Sequence, residues 1–172
     1  DHHLRPDSGL DARLVEELCA ARGIPLTVVH ADPSTRSRGQ SAEMWGREVR
    51  YAAFARAAAA AGARDVLTAH HRDDMVETLL LRLWRGTGFA GLGAIRFRRS
   101  DGVTRPLLPL RREDLQEWLR ALGTPWREDA SNNDPRVPRN WIRHHLLPRW
   151  RAAEPDVDAR LYRAARAAAA LA

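Results

Sequence analysis

Lysine is absent from this chain, in which all 28 basic residues are arginine. These residues therefore cannot supply a Walker-type P-loop lysine, a Schiff-base lysine or a lysine-bound nucleotidyl intermediate. Cysteine is nearly absent as well. Cys19 stands alone, so no internal disulfide can close, and a reducing, cytoplasmic setting fits. Aromatic residues make up only 6% of the chain. No apolar run approaches the roughly 20 residues that span a bilayer, which excludes a membrane helix. The opening Asp1-His2-His3-Leu4-Arg5 does not read as a secretory signal.

What is present is an ordinary globular composition, 44% hydrophobic and 29% charged, over 172 residues, enough for one main domain and a short appendage. The net charge of +6 and a pI near 10.9 favour an anionic partner such as RNA or nucleotide phosphate. A GC-rich coding bias is the alternative reading of the arginine usage and would explain the alanine tracts as well.

Apolar spacing predicts a helix over 9–22 closed by Gly23, and a buried strand from Pro25 to His30. A long helix over 41–61, a strand over 65–69 and a helix over 73–85 follow. A flexible Gly86–Gly93 segment leads to a hairpin, Ile95–Arg99 with Val103–Leu107, and then to a helix over 112–122. An Asx/Pro loop over 129–138 precedes a helix over 139–147 that Pro148 ends, and a last Arg/Ala helix begins at Pro155, short of packing partners. Alternating strands and helices imply an α/β fold, an open parallel sheet with flanking helices, whose ligands bind beyond the carboxyl ends of the strands. That points to the loop after Ala69.

His70-His71-Arg72-Asp73-Asp74-Met75-Val76-Glu77-Thr78 lies where a strand hands over to a helix. Asp74 and Glu77 are three apart and Asp73 and Glu77 four apart, so the carboxylates can converge on one helical face. Two readings stand side by side: N-capping by Asp73 with the other acids as first-turn charges, or a divalent metal site. Arg139, Asn140 and Arg143 form a second set, because Arg139 and Arg143 sit one turn apart and can grip phosphate together; a solvated basic face is the alternative. Arg96 and Arg98 share a strand face that either meets RNA or is merely exposed. Trp45, Trp84, Trp118 and Trp141 occupy helical apolar positions and are expected in the core, leaving Trp126 for RNA contact.

The His70–Thr78 run resembles the HxxDDxxET motif of the tRNA(Ile)-lysidine synthases. Five further stretches match that family in order: Asp1–Ser8, Glu48–Tyr51, Arg85–Leu92, Arg105–Leu108, and Pro125–Asp134 leading to Arg139–Arg143. The resemblance covers about residues 1–150 and implies that they form an incomplete catalytic domain of ATP-pyrophosphatase fold, with 97–150 its tRNA- and substrate-facing part, while 151–172 is expected to be a helical tail that starts a further domain. It departs in two places. The family's SGGxDS pyrophosphate loop does not occur, so the chain is expected to be N-terminally truncated and inactive by itself, and Met75 replaces the usual Gln. Beside longer relatives, the chain is also expected to be cut short of their C-terminal domains.

The resemblance implies ATP-dependent adenylation of the C2 oxygen of the wobble cytidine in the tRNA(Ile) with a CAU anticodon, followed by displacement of AMP by the amine of free lysine. It implies ATP and Mg2+ as cofactors and leaves the oligomeric state open, a homodimer included. Lysine arrives as ammonium and must lose a proton before it attacks, which suits carboxylates. Asp74 and Glu77 are accordingly expected to bind lysine, His70 to act near phosphate or cytidine, Asp73 to cap the helix or hold magnesium, and Arg139, Asn140 and Arg143 to meet ATP or tRNA phosphate. His71 is read as structural. Two other functions remain open. Asp1-His2-His3 resembles the name motif of the DHH metal phosphoesterases, and a basic tRNA-binding remnant without catalysis fits the charge. A thiolating relative is disfavoured by the lone Cys19.

Overall fold

A computed structural model describes residues 1–4 and 7–171. Arg5 and Pro6 of the Asp1–Ser8 stretch lie outside the described residues. The chain divides into two compact units, Asp1–Val66 and Leu67–Ala172.

In the first unit α1 (Ser8–Ala21) ends where Gly23 takes a left-handed φ of 63°, letting Ile24 N–H reach back to the Cys19 carbonyl at 2.9 Å. Helix α2 (Ala42–Ala61) starts at Ser41, whose hydroxyl accepts the Met44 N–H at 3.1 Å, and stops at Gly62. Trp45 of α2 is buried and donates its indole N–H to Thr35 Oγ1 at 3.3 Å. Pro25–His30 does not form the expected strand. Its ladder is two bonds long, Asp1 N–H to the Val29 carbonyl and Ala31 N–H to the Asp1 carbonyl, both 2.8 Å.

The second unit is built around α3 (Arg72–Trp84). Its apolar residues pair at one-turn intervals and serve two clusters. Met75 and Leu79 pack with Ala94, Leu108 and Ala165, while Val76 and Leu80 pack with Ile142 and Leu147. The fold class is α/β, but the sheet is short: β1 (Val66–Leu67) pairs with β2 (Val103–Thr104), and Thr68 N–H extends the ladder to the Thr104 carbonyl at 3.0 Å. The hairpin before β2 is present in reduced form, through an Arg98–Thr104 bridge and bonds from Arg99 to Val103 and from Arg105 to Phe97, both 2.9 Å. The glycine-rich segment carries a short helix, α4 (Phe89–Leu92).

Helix α5 (Arg112–Ala121) follows, then a 3-10 turn at Ala130–Asn133 and α6 (Pro138–Trp141). Pro148 does not end the helix begun there. A π-helical turn, Ile142–Leu146, leads straight into α7 (Leu147–Ala153), with Pro148 in its first turn, where a missing N–H costs little. The last helix, α8 (Val157–Leu171), is not short of partners: it packs on α3 and α4 with Val157, Ala165 and Ala168 buried. Three of the four tryptophans expected in the core are exposed. Trp84 is 59%, Trp118 61% and Trp141 39% accessible, and Trp84 and Trp141 meet edge to face at 5.4 Å on the surface. Large rings at helical apolar positions here mark helix faces that the second unit does not cover.

Gly93 marks the closest approach of α8. A Cβ placed there would stand 2.9 Å from Ala169 Cα and 3.1 Å from its Cβ, backbone that cannot swing aside, whereas a Cβ at Gly88 would meet open space. Gly93→Ala is therefore expected to destabilise the second unit by about 1–3 kcal/mol through overpacking. Gly88→Ala is expected to leave it within about 0.5 kcal/mol, both read as shifts of the urea unfolding midpoint.

Candidate active site at the start of helix α3

The site grows from how α3 and α5 begin. At α3 the N-cap residue is His71, not Asp73, and the Asp74 carboxylate closes the turn by accepting the His71 N–H at 3.0 Å. At α5 Asp114 does the same for the Arg111 N–H at 3.1 Å. Asp73 is left over from its own helix and caps the other one, with Oδ2 accepting the Arg112 N–H at 2.8 Å. Arg72 fastens the same junction, since its N–H reaches the Leu110 carbonyl at 2.8 Å and its guanidinium bonds to the Pro109 carbonyl.

One turn into α3, Glu77 is 1% exposed. A carboxylate there would carry a severe desolvation cost without cations. It has two. Arg143 binds it with two parallel bonds, Nε to Oε1 at 2.6 Å and Nη2 to Oε2 at 2.8 Å. Arg139 Nε reaches Oε2 at 2.6 Å and extends Nη2 to Asp74 Oδ1 at 2.7 Å, bridging the two acids. Donation to the Glu77 carboxylate is the main reason that the Arg143 pKa is raised above its ordinary value, against the opposing effect of burial. Arg143 lies in the π turn and Arg139 in α6 just before it, one turn apart on the side that meets α3.

A second branch meets Asp73. Arg151 donates Nη2 to Asp73 Oδ1 at 3.0 Å and Nε to Asp158 Oδ2 at 2.7 Å. Burial opposes the Arg151 charge, and the bonds and fields of Asp158 and Asp73 outweigh it, raising its pKa. His71 lies between the branches, 3.7 Å from Asp73 and 3.6 Å from Asp74. Four carboxylates, Asp73, Asp74, Glu77 and Asp158, thus face three guanidiniums, which leaves one formal negative charge in excess before His71 is counted. That imbalance favours a cation.

The structure brings Asp73, Asp74, Glu77, Arg139 and Arg143 into one network, while His70 holds to the strand end through a 2.9 Å contact between Nδ1 and Thr68 Oγ1. Asn140 is turned elsewhere. It is buried, and its amide donates to the Ser131 and Asp134 carbonyls at 2.8 and 3.0 Å, fixing the Asx loop. Arg151 and Asp158 were not picked out by sequence reasoning. The signal was present in the arginines at 139, 143 and 151, spaced in multiples of four. Arg105 is buried too, and its Nη1 holds the Arg96 carbonyl at 2.6 Å. Trp126 lies under Arg120, whose guanidinium carbon is 5.4 Å from the ring centroid.

A family model described as "PP-loop domain" matches residues 1–150. A tRNA(Ile)-lysidine synthase of Thermus thermophilus is 43% identical over 151 residues, covering 86% of this chain and 29% of that protein. That of a Thermotoga species is 37% identical over 165 residues, 95% of this chain and 40% of that protein. The Treponema pallidum protein of the same name is 45% identical over 159 residues, 86% of this chain and 32% of that one. The chain thus spans between 29% and 40% of the length of these relatives. Among solved structures, a U34-tRNA thiolase from Methanococcus maripaludis superposes with a TM-score of 0.77 over 96% of this chain and 59% of that one, at 11% identity, a likeness of fold alone.

The network sets a stability hierarchy. Glu77→Gln leaves two guanidiniums facing an uncharged buried group and is expected to cost about 3–5 kcal/mol. Arg136→Ala removes a solvent-exposed pair with Asp134 and is expected to leave the unfolding midpoint nearly unchanged. Urea unfolding of the two variants beside the parent chain checks the ordering, which equal losses would contradict.

Proposed function

Because the chain belongs to the PP-loop domain family over residues 1–150, we propose that it is the catalytic segment of a tRNA(Ile)-lysidine synthase. The reaction joins lysine to C2 of the wobble cytidine in the tRNA(Ile) bearing a CAU anticodon. ATP first adenylates the C2 oxygen and releases pyrophosphate. The lysine side-chain amine then attacks C2, and AMP leaves with that oxygen. The observation that carries this reading is the convergence of two remote sequence stretches, 70–78 and 139–143, on a single acid–arginine network with an excess negative charge.

Lysine brings an ammonium with a reference pKa of about 10.4, so the site must bind a cation and then take a proton from it. Asp74 suits both tasks. It is less buried than Glu77 and is shared between the His71 N–H and Arg139. Glu77 contributes the second carboxylate and keeps Arg139 and Arg143 in place, and these arginines are the groups proposed to meet ATP or tRNA phosphate. Asn140 serves the same surface by holding the loop before it. His70, at the end of the strand segment, is proposed to act beside phosphate or cytidine.

ATP is expected to arrive with magnesium, and Asp73 is the carboxylate proposed to face it: Oδ2 accepts the Arg112 N–H and Oδ1 bonds to the Arg151 guanidinium, and each oxygen keeps a further lone pair. No step is assigned to a metal here. No helix among the described residues is long and apolar enough to cross a membrane, and a cytoplasmic setting among tRNAs accords with this function. The exposed Trp84–Trp141 pair, with His145 tilted against Trp141 at 6.1 Å, offers a stacking surface to RNA bases.

Residues 1–150 placed in the corresponding segment of the Thermus thermophilus relative are expected to support ATP-dependent incorporation of labelled lysine into tRNA(Ile). In that chimera Asp74→Asn should raise the lysine concentration required by about 10–100-fold, the worth of one charge-assisted contact, while AMP transfer to tRNA continues. A chimera that adenylates tRNA yet never accepts lysine would overturn the assignment, and an unchanged lysine requirement would move Asp74 out of the site. Binding of tRNA should also weaken with salt at a log–log slope of about −0.7 to −0.9 per phosphate contact, measured by filter binding.

A further inference from the structure

Outside the acid–arginine network, the first unit holds a cluster with the chemistry of a metal centre. We infer that Asp1, His3 and His30 form a binding site for a divalent transition-metal ion of the zinc class. His2 goes to Trp45, with ring centroids 5.9 Å apart, and to Gly46, while Asp1 and His3 face His30. His3 has a left-handed backbone, φ 51°, unusual for a residue with a Cβ. Its ring stacks on that of His30, with centroids 5.1 Å apart and planes 17° apart.

Stacking brings two ring nitrogens face to face, His3 Nε2 and His30 Nδ1, 3.0 Å apart. Two imidazoles bound to one tetrahedral zinc at about 2.0–2.1 Å present their nitrogens roughly 3.3 Å apart, so a shift of a few tenths of an ångström admits the ion. The carboxylate sets the tautomer. Asp1 Oδ1 accepts the His3 N–H at 3.0 Å, and Oδ2 lies 3.3 Å from His3 Nδ1. A proton kept on Nδ1 by that carboxylate leaves the Nε2 lone pair directed at His30, the carboxylate–histidine–metal arrangement that orients ligands in metal centres. One ligand atom from each of the three residues lies within 4.8 Å of the other two, so Asp1 can also bind the ion directly. The Asp1 side chain is 3% exposed and therefore held, whereas both imidazoles reach solvent and leave the remaining coordination positions open to water. Two imidazoles and a carboxylate select zinc, cobalt or nickel over magnesium and calcium, which take oxygen ligands.

The test is calorimetric titration of the whole chain with Zn2+ alone, together with the visible spectrum of its Co2+ complex. One ion per chain is expected. His30→Asn and His3→Gly should each weaken binding at least tenfold, and Asp1→Asn by about 10–100-fold. His3→Gly relieves the left-handed backbone, so it is expected to keep or raise the melting temperature while losing the zinc-dependent increase. His144→Gln/His145→Gln, which removes the other exposed histidine pair, should bind zinc as the parent does. Absence of a stoichiometric site, unchanged affinity in His3→Gly and His30→Asn, or loss of the ion in the His144/His145 variant would each overturn the assignment.

Discussion

Glu77 is the constraint on which the second unit depends. A carboxylate sealed between two hydrophobic clusters on α3 is tolerable only with its charge matched in place, and Arg139 and Arg143 do this across 62 and 66 residues of chain. Meeting that demand draws the Asx loop, α6 and the π turn onto α3. Apolar burial by Val76, Leu80, Ile142 and Leu147 then supplies the adhesion around the ion pairs. The charges fix the position and the hydrocarbon holds it.

The same economy of shared groups runs through the site. Asp74 closes its own helix start and also anchors Arg139, and Asp73 begins a helix 39 residues away while tying down Arg151. Groups so fully used are preorganised, because their orientation is set before any ligand arrives. A cation entering here would meet a carboxylate already aimed. The network has no need of a lysine side chain from the protein, consistent with a chain that has none.

Much of this was readable from spacing. The pairs at 75/76 and 79/80 made α3 plain, Ser41 and Gly62 bracketed α2, and the arginines at 139 and 143 were seen as partners one turn apart. Their destination was not readable, since nothing local says whether a guanidinium faces phosphate or a buried acid. Local pattern failed for similar reasons at Pro25–His30, where strand character depends on neighbours to pair with, and at Asp73, which looked like the cap of the helix it sits on. Trp84, Trp118 and Trp141 misled because a helical apolar stripe identifies a face that can be covered without identifying what covers it. Pro148 was read as a stop because a proline breaks helices in general, and the π turn just before it was invisible in sequence.

That π turn can also be seen as a phase correction. Each residue of an α-helix advances the direction of its side chain by about 100°, so the twelve steps from Arg139 to Arg151 would leave the two pointing about 120° apart. One i→i+5 turn absorbs roughly a residue's worth of rotation and brings them back to within about 20°. The chain from Pro138 to Ala153 thus behaves as a dial reset once along its length, by which Arg139 and Arg143 are aimed at one branch of the acidic network and Arg151 at the other.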